Sequence, residues 1–179
     1  VFVGNIGDRP SQIYMADNGL ALVLVDGDQG WAVDLATNNF AEIIDGSFYG
    51  ADFVVFLDTF FVFNRPDTNQ FYISLSLVDF SMLTGGTAFD PLDIAAKSGS
   101  ADPIVAILTY QKQLWLVGAL TTEIWIGTGA ADFYFQLVQG AYIDHGCIAP
   151  YTATNTDVIG IFLMQDRAGK NIVAKTSGY

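Results

Sequence analysis

The sequence predicts an all-β fold of antiparallel, β-propeller-like blades, and three observations carry that prediction. A hydrophobic hairpin, two apolar runs joined by a polar turn, recurs four times along the chain. The copies follow one another at 40, 54 and 44 residues, measured between Leu20, Phe60, Leu114 and Val158, and units of roughly 40–50 residues with three or four strands are what propeller blades require. Several runs are apolar continuously instead of alternately, so both of their faces need cover, as in a blade held between neighbours. A β-sandwich with irregular loops is the alternative that the same pattern admits.

The first hairpin is Leu20-Ala21-Leu22-Val23-Leu24-Val25, a turn over residues 26–30, then Trp31-Ala32-Val33. The second is Phe53-Val54-Val55-Phe56-Leu57, the turn Asp58-Thr59, then Phe60-Phe61-Val62-Phe63, with a further strand over 70–74 after the turn Asn64-Arg65-Pro66-Asp67. The third runs Gln113-Leu114-Trp115-Leu116-Val117, turns, and returns as Glu123-Ile124-Trp125-Ile126 to Gly127. The fourth spans 158–164, turns over 165–170 and returns as Asn171-Ile172-Val173-Ala174. Between the second and third, Thr84-Gly85-Gly86-Thr87 and Lys97-Ser98-Gly99-Ser100 read as inter-strand loops. Residues 89–96 between those loops could be a strand or one helical turn. The expectation is a single β-rich region over 1–179, divided into approximate blades at 1–46, 47–100, 101–148 and 149–179.

Length and composition fit one domain with an ample core, at 179 residues, 51% hydrophobic and 14% aromatic. No unbroken apolar stretch exceeds seven residues, the length of 158–164, far short of the ~18 that cross a bilayer as a helix. No membrane partner is expected. The chain opens Val1-Phe2-Val3-Gly4-Asn5, with no Met, basic start or cleavage pattern. A closed propeller takes about four to eight blades and roughly three and a half are countable here, so a partial set of blades from a longer chain is expected.

The charge argues against nucleic acid as a direct partner. Seven Lys and Arg stand against nineteen Asp and Glu, for a net charge of −12. The cations, Arg9, Arg65, Lys97, Lys112, Arg167, Lys170 and Lys175, are scattered, whereas holding a phosphate backbone needs them clustered.

Catalytic and metal chemistry finds little to stand on. His145 is the only histidine, in Ile143-Asp144-His145-Gly146-Cys147, and its spacing to Cys147 places both side chains on one face of a strand. Cys-His enzymes draw the two groups from separate segments, so catalysis is not expected here. One His and one Cys fall short of a zinc pattern, and the single cysteine excludes an internal disulfide. Asp26-Gly27-Asp28-Gln29-Gly30 opens like a calcium loop but has Thr37 where the closing acid belongs, and a hairpin turn accounts for it. No Gly-Lys-Ser/Thr follows Gly4, Gly7, Gly85 or Gly86, which leaves no phosphate loop. Trp31, Trp115 and Trp125 sit within apolar runs, where burial is the default; a sugar-binding surface would need them exposed.

One ordered series of segments carries a family resemblance. It runs from Asn64-Arg65-Pro66-Asp67-Thr68-Asn69-Gln70-Phe71-Tyr72-Ile73-Ser74 through Asp102-Pro103-Ile104-Val105-Ala106-Ile107 to Leu114-Trp115-Leu116-Val117-Gly118 and Thr121-Thr122-Glu123-Ile124-Trp125. It continues through Thr128-Gly129, Asp132-Phe133-Tyr134-Phe135-Gln136, Gly140-Ala141, Asp144-His145-Gly146-Cys147-Ile148-Ala149 and the final Gly178-Tyr179. From about Gly19 onward the chain resembles the packaged-DNA stabilisation proteins of short-tailed bacteriophages, also described as tail accessory or hub proteins. The specificity lies in the order of the segments, since each alone is a strand with its turn. The resemblance implies a propeller-like structural protein, several copies of which assemble below the portal ring after packaging and help to close the channel. Its partners are then portal or tail-adaptor proteins of the virion and further copies of itself. It implies a virion (tail) location after assembly in the bacterial host cytoplasm. It implies no catalytic residue, and a structural protein of this kind needs no cofactor.

A plug retains DNA by steric closure and need not bind it, so an acidic wall suits a stopper better than a clamp. The contacts that matter are then expected in loops at blade ends, over 80–89 and 129–133, with Thr84, Gly85, Gly86, Thr87, Ala130 and Asp132 as the candidate partner-binding residues. Deleting 84–87 is expected to leave folding intact and weaken assembly. Two other classes stay open from the sequence. A carbohydrate-binding or carbohydrate-cleaving propeller would expose Trp31 or Trp125 and pair carboxylates, for which Glu42 and Glu123 are the only glutamates. A cytoplasmic scaffold propeller would capture cellular proteins without any virion.

Overall fold

Four short antiparallel sheets follow one another along the chain in a computed structural model, which describes residues 2–7, 12–155, 160–165 and 168–175. The first sheet is a meander of β1 (Tyr14–Asp17), β2 (Ala21–Val25), β3 (Gly30–Asp34) and β4 (Phe40–Glu42). The second has β5 (Val54–Leu57), β6 (Phe60–Asn64), β7 (Gln70–Ser74) and β8 (Phe89–Ala96) in order, with a short helix α1 (Phe80–Gly85) on the connection into β8. The third is the meander β9 (Ile104–Tyr110), β10 (Gln113–Gly118), β11 (Thr122–Gly127) and β12 (Phe135–Ile143).

The fourth sheet is built differently. Its centre is β15 (Gly160–Gln165), flanked on one side by β16 (Asn171–Lys175). On the other side lie β13 (Gly146–Cys147), against Gln165 and Met164, and β14 (Thr154–Asn155), against Ile161 and Gly160. These two pieces act as one edge strand interrupted by a 3-10 turn over Pro150–Thr152. Proline has no N–H to give a ladder, which is a physical reason for the break.

Turn chemistry sets the register of the hairpins. Pairing of Leu57 with Phe60 and of Tyr110 with Gln113 leaves two-residue turns, Asp58-Thr59 and Gln111-Lys112, all four residues at positive φ as tight hairpins demand. Longer turns are held by carboxylates: Asp26 Oδ1 accepts the N–H of Asp28 and Gln29, and Asp34 Oδ1 those of Ala36 and Thr37. The Asp26–Gly30 segment is thus a hairpin turn between β2 and β3, as its sequence suggests.

The continuously apolar runs are covered on both faces. All of Phe61–Asn64 in β6, Phe71–Ser74 in β7 and Leu114–Gly118 in β10 is buried, whereas β2 alternates buried and half-buried residues. The chain divides into two compact units, one of Val1–Pro66 with Tyr72–Ile94, the other of Asp67–Phe71 with Ala95–Tyr179. In the first unit Val23, Phe61, Phe63, Tyr72 and Leu83 form part of one core, with the Phe63 and Tyr72 rings stacked at 5.1 Å. In the second, Gly146 of β13 lies so close to the backbone of Ala119 and Leu120 that a Cβ there would collide with it.

Two expectations are corrected. Thr84 and Gly85 are not loop residues but the end of α1. Asp79 caps that helix, its Oδ1 accepting the Met82 N–H at 2.9 Å, and Gly86 stops it in the left-handed conformation at φ +75°. A short cap-to-cap helix of this kind carries too little periodicity to read from sequence. His145 lies between β12 and β13 and not within a strand, so the alternation argued for His145 and Cys147 does not apply. The undecided segment 89–96 is strand β8. Val158 at the start of the fourth run, the turn residue Arg167 and the closing Gly178-Tyr179 fall outside the described residues.

Candidate partner-binding loops

The first candidate segment is presented by a stiff support. Leu83 of α1 is fully buried, the Thr84 hydroxyl donates to the Phe80 carbonyl at 2.8 Å, and the Thr87 N–H donates to the Met82 carbonyl at 3.2 Å. Ala88 and Phe89 are buried directly after it, their N–H groups donating to Asp45 Oδ2 at 2.9 and 3.2 Å, while Asp45 Oδ1 accepts the Ser47 N–H. Gly85, Gly86 and Thr87 are left exposed and Thr84 half-buried. Cutting out 84–87 would therefore remove a helix end and its cap as well as a tip, and the harmless deletion expected from sequence gives way to point substitutions.

A shallow pocket of about 290 Å³ opens beside this helix, lined by residues that include Leu20, Asp34, Ala36, Asp79 and Phe80. Both of its carboxyls titrate below the ordinary range. The Thr37 hydroxyl and then the Ala36 N–H stabilise ionised Asp34, and the Ser81 hydroxyl and then the Met82 N–H do the same for Asp79. This surface is anionic at neutral pH.

The second candidate segment belongs to the other unit. Thr128 closes the loop between β11 and β12 through its N–H, which donates to the Tyr134 carbonyl at 2.9 Å, with Gly129 at φ +70°. Phe133 anchors it, edge-on to Phe71 with ring centroids 5.5 Å apart. Asp132 is exposed and Ala130 half-buried at the tip.

Of the remaining residues that sequence reasoning weighed, the tryptophans, Glu123, Cys147 and Lys97 are turned inward, while Glu42 stays exposed. Trp31, Trp115 and Trp125 are only 5%, 4% and 7% exposed, which leaves no tryptophan face for a sugar. Glu123 is buried, and its carboxylate accepts from Gly99 N–H at 2.6 Å, Ser98 N–H at 3.3 Å and Trp125 Nε1 at 3.0 Å. Glu42 accepts from the Gln29 amide at 2.9 Å. The Cys147 thiol is buried and donates to the Ala149 carbonyl at 3.1 Å. Lys97 lies in the connection after β8, as its sequence suggests, and its side chain is fully buried there, its ammonium donating to Asp102 Oδ1 at 2.9 Å and to the carbonyl and hydroxyl of Thr121 at 3.0 and 2.9 Å. Sequence reasoning missed Asp45 and the internal roles of Lys97 and Glu123; their only visible signal is a charge beside an apolar run, and their partners are distant in sequence.

With that geometry in view, comparison with known proteins decides the family. The model of the phage-stabilisation family, described as the β-propeller of bacteriophage P22 Gp10, matches residues 1–179. The chain belongs to this family. As a phage-stabilisation protein it is a viral structural protein, and its antiparallel sheets are blades of a β-propeller fold. Solved structures agree on the fold at low identity. The computationally designed Ika4 protein superposes with a TM-score of 0.53 at 14% identity, over 97% of this chain and 96% of that one. The AfRom2 CNH domain gives 0.52 at 12% identity over 95% of this chain, which spans about half, 52%, of that longer one. No curated protein sequence matches this phage-stabilisation chain.

Proposed function

We propose that this chain is a structural component of a phage tail that assembles below the portal after packaging and retains DNA by closing the channel. The observation that carries the reading is the family match over the whole chain. Several copies act together, held to portal or tail-adaptor proteins through blade-end segments that include Thr84, Gly85, Gly86, Thr87, Ala130 and Asp132. The approximate stretches 1–46, 47–100, 101–148 and 149–179 each serve as one blade, save that Gly146–Cys147 of β13 join the fourth sheet. Assembly takes place in the bacterial host cytoplasm and the finished protein resides in the virion tail.

Closure is steric, with no direct grip on nucleic acid. The −12 charge supports this, as does the burial of Lys97 in an ion pair, which removes one of the seven cations from the surface. Burial of the three tryptophans and the commitment of Glu123 to internal hydrogen bonds weigh against the carbohydrate alternative.

Deleting the gene from its phage tests the role. Heads are expected to package normally and then lose DNA, and complementation restores retention. Heads that keep their DNA without the protein would overturn the reading. Thr87→Arg and Asp132→Lys, both at exposed positions, are expected to preserve the circular dichroism spectrum and lower the copy number found in particles. Unchanged incorporation of either variant removes its loop from the interface.

A further inference from the structure

Asn18-Gly19 is the only Asn-Gly pair in the chain. A glycine after asparagine leaves its backbone nitrogen unshielded by a Cβ, so that nitrogen can reach the asparagine side-chain carbon, the reaction that makes asparagine thermolabile. The pair sits in the turn between β1 and β2, with Gly19 at φ +81°. Asn18 is half-buried and Gly19 is exposed to the water that the reaction consumes.

The fold holds the reacting groups. Asn18 Oδ1 accepts the N–H of Leu20 at 3.0 Å and of Ala21 at 2.9 Å, and two donors there polarise the side-chain carbonyl toward attack. The other two bonds act in the opposite sense. The Gly19 N–H donates to Asp17 Oδ1 at 3.1 Å, and a carboxylate at that place opposes loss of the proton that the nitrogen must shed. Asn18 Nδ2, the leaving nitrogen, donates to the Val78 carbonyl at 2.7 Å, across a separation of 60 residues. Nucleophile and leaving group are thus both restrained, and both come free only when the turn opens locally.

We propose that Asn18 is a spontaneous modification site gated by the fold, and that its conversion unties the β1–β2 turn from the connection that carries α1. The Gly19 nitrogen loses its proton and bonds to Asn18 Cγ, while the side-chain nitrogen takes up a proton and leaves as ammonia. Water then opens the succinimide ring at either carbonyl, giving aspartate or isoaspartate. The sum is one water consumed and one ammonia released, with no oxidant or cofactor. Aspartate at position 18 keeps the acceptor for Leu20 and Ala21 but has no donor for Val78, whose carbonyl then faces a carboxylate oxygen. Val78 directly precedes Asp79, the cap of α1, so the loss reaches the support of segment 84–87 from the end opposite to Asp45. The inference goes beyond the virion role and does not depend on it.

Ageing the protein at mildly alkaline pH, followed by peptide mapping with mass spectrometry, is expected to convert Asn18 about tenfold more slowly in the folded chain than in the same chain unfolded in urea. Asn18→Asp, which reproduces one product, is expected to keep the circular dichroism spectrum and lower the melting temperature by roughly 2–4 °C. The same variant should speed hydrogen exchange at Met82 and Leu83, whose N–H groups are held by Asp79. Equal conversion rates in the folded and unfolded chain would overturn the gating. An Asn18→Asp protein with unchanged melting temperature and unchanged exchange in α1 would overturn the untying.

Discussion

Aspartate in this chain works as a structural acceptor before it works as a surface charge. Asp17, Asp26, Asp34, Asp45, Asp79, Asp90 and Asp102 each accept at least one backbone N–H, most of them two or three residues ahead in a turn. Asp102 is the most constrained. Burial pushes its carboxyl up, yet hydrogen bonds from Lys97, Thr121 and the Leu120 N–H, with the charge of Lys97, outweigh burial and hold it down at about 2. A carboxyl depressed in the folded state adds stability above its unfolded value near pH 4 and loses it as pH falls through the folded value. Asp102 is thus expected to contribute about 2 kcal/mol at neutral pH that disappears between about pH 4 and pH 2. Lys97→Met, which leaves that carboxylate buried and unpaired, should cost about 3–5 kcal/mol and shift the acid transition upward in urea titrations at stepped pH. Adding Asp102→Leu should recover little, because the Leu120 and Thr121 N–H groups then lose their acceptor. The local turns are legible from Asp-Gly and Asn-Gly spacing, but the Lys97 pairing across to Thr121 is not.

At the level of elements, hairpins follow from the apolar runs while their turns are not all optimal. Gln111 and Lys112 hold positive φ at 48° and 61° without being Asn, Asp or Gly. Replacing them by Asn-Gly should relieve that strain and raise stability by about 1 kcal/mol, seen as a higher melting temperature with an unchanged fold. The reverse holds for the approach to β8, which Asp45 pins through two buried N–H groups. Asp45→Ala should cost about 2 kcal/mol and speed hydrogen exchange at Ala88 and Phe89, loosening the candidate segment 84–87 with no change to its own residues. Strands β2, β3, β6, β10 and β11 could be placed from hydrophobic runs alone. Helix α1 could not, because six residues between two caps leave a pattern shorter than a helical repeat needs.

For the molecule as a whole, acidity and the placement of cations support the proposed absence of a nucleic-acid grip. Among the described residues, Lys97 is internal and Arg65 lies 4.9 Å over the Tyr49 ring, so both of these cations are engaged with the protein's own side chains. Fluorescence anisotropy with labelled duplex DNA is expected to show no binding even at low salt, where counterion release would most favour it. Micromolar binding there would contradict closure without a grip. The described residues contain no helix long and apolar enough to cross a membrane.

The sequence by itself determined the all-β class, the order of the hairpins and the blade-length repeat, because period, apolar content and turn residues are local properties; burial of the tryptophans was settled by the structure. Only the tertiary structure decided where Lys97, Asp45 and Glu123 find their partners and how Pro150–Thr152 divides one edge strand. Those depend on groups brought together from tens of residues apart, and hydrophobic pattern carries no information about which distant donor will meet a given buried carboxylate.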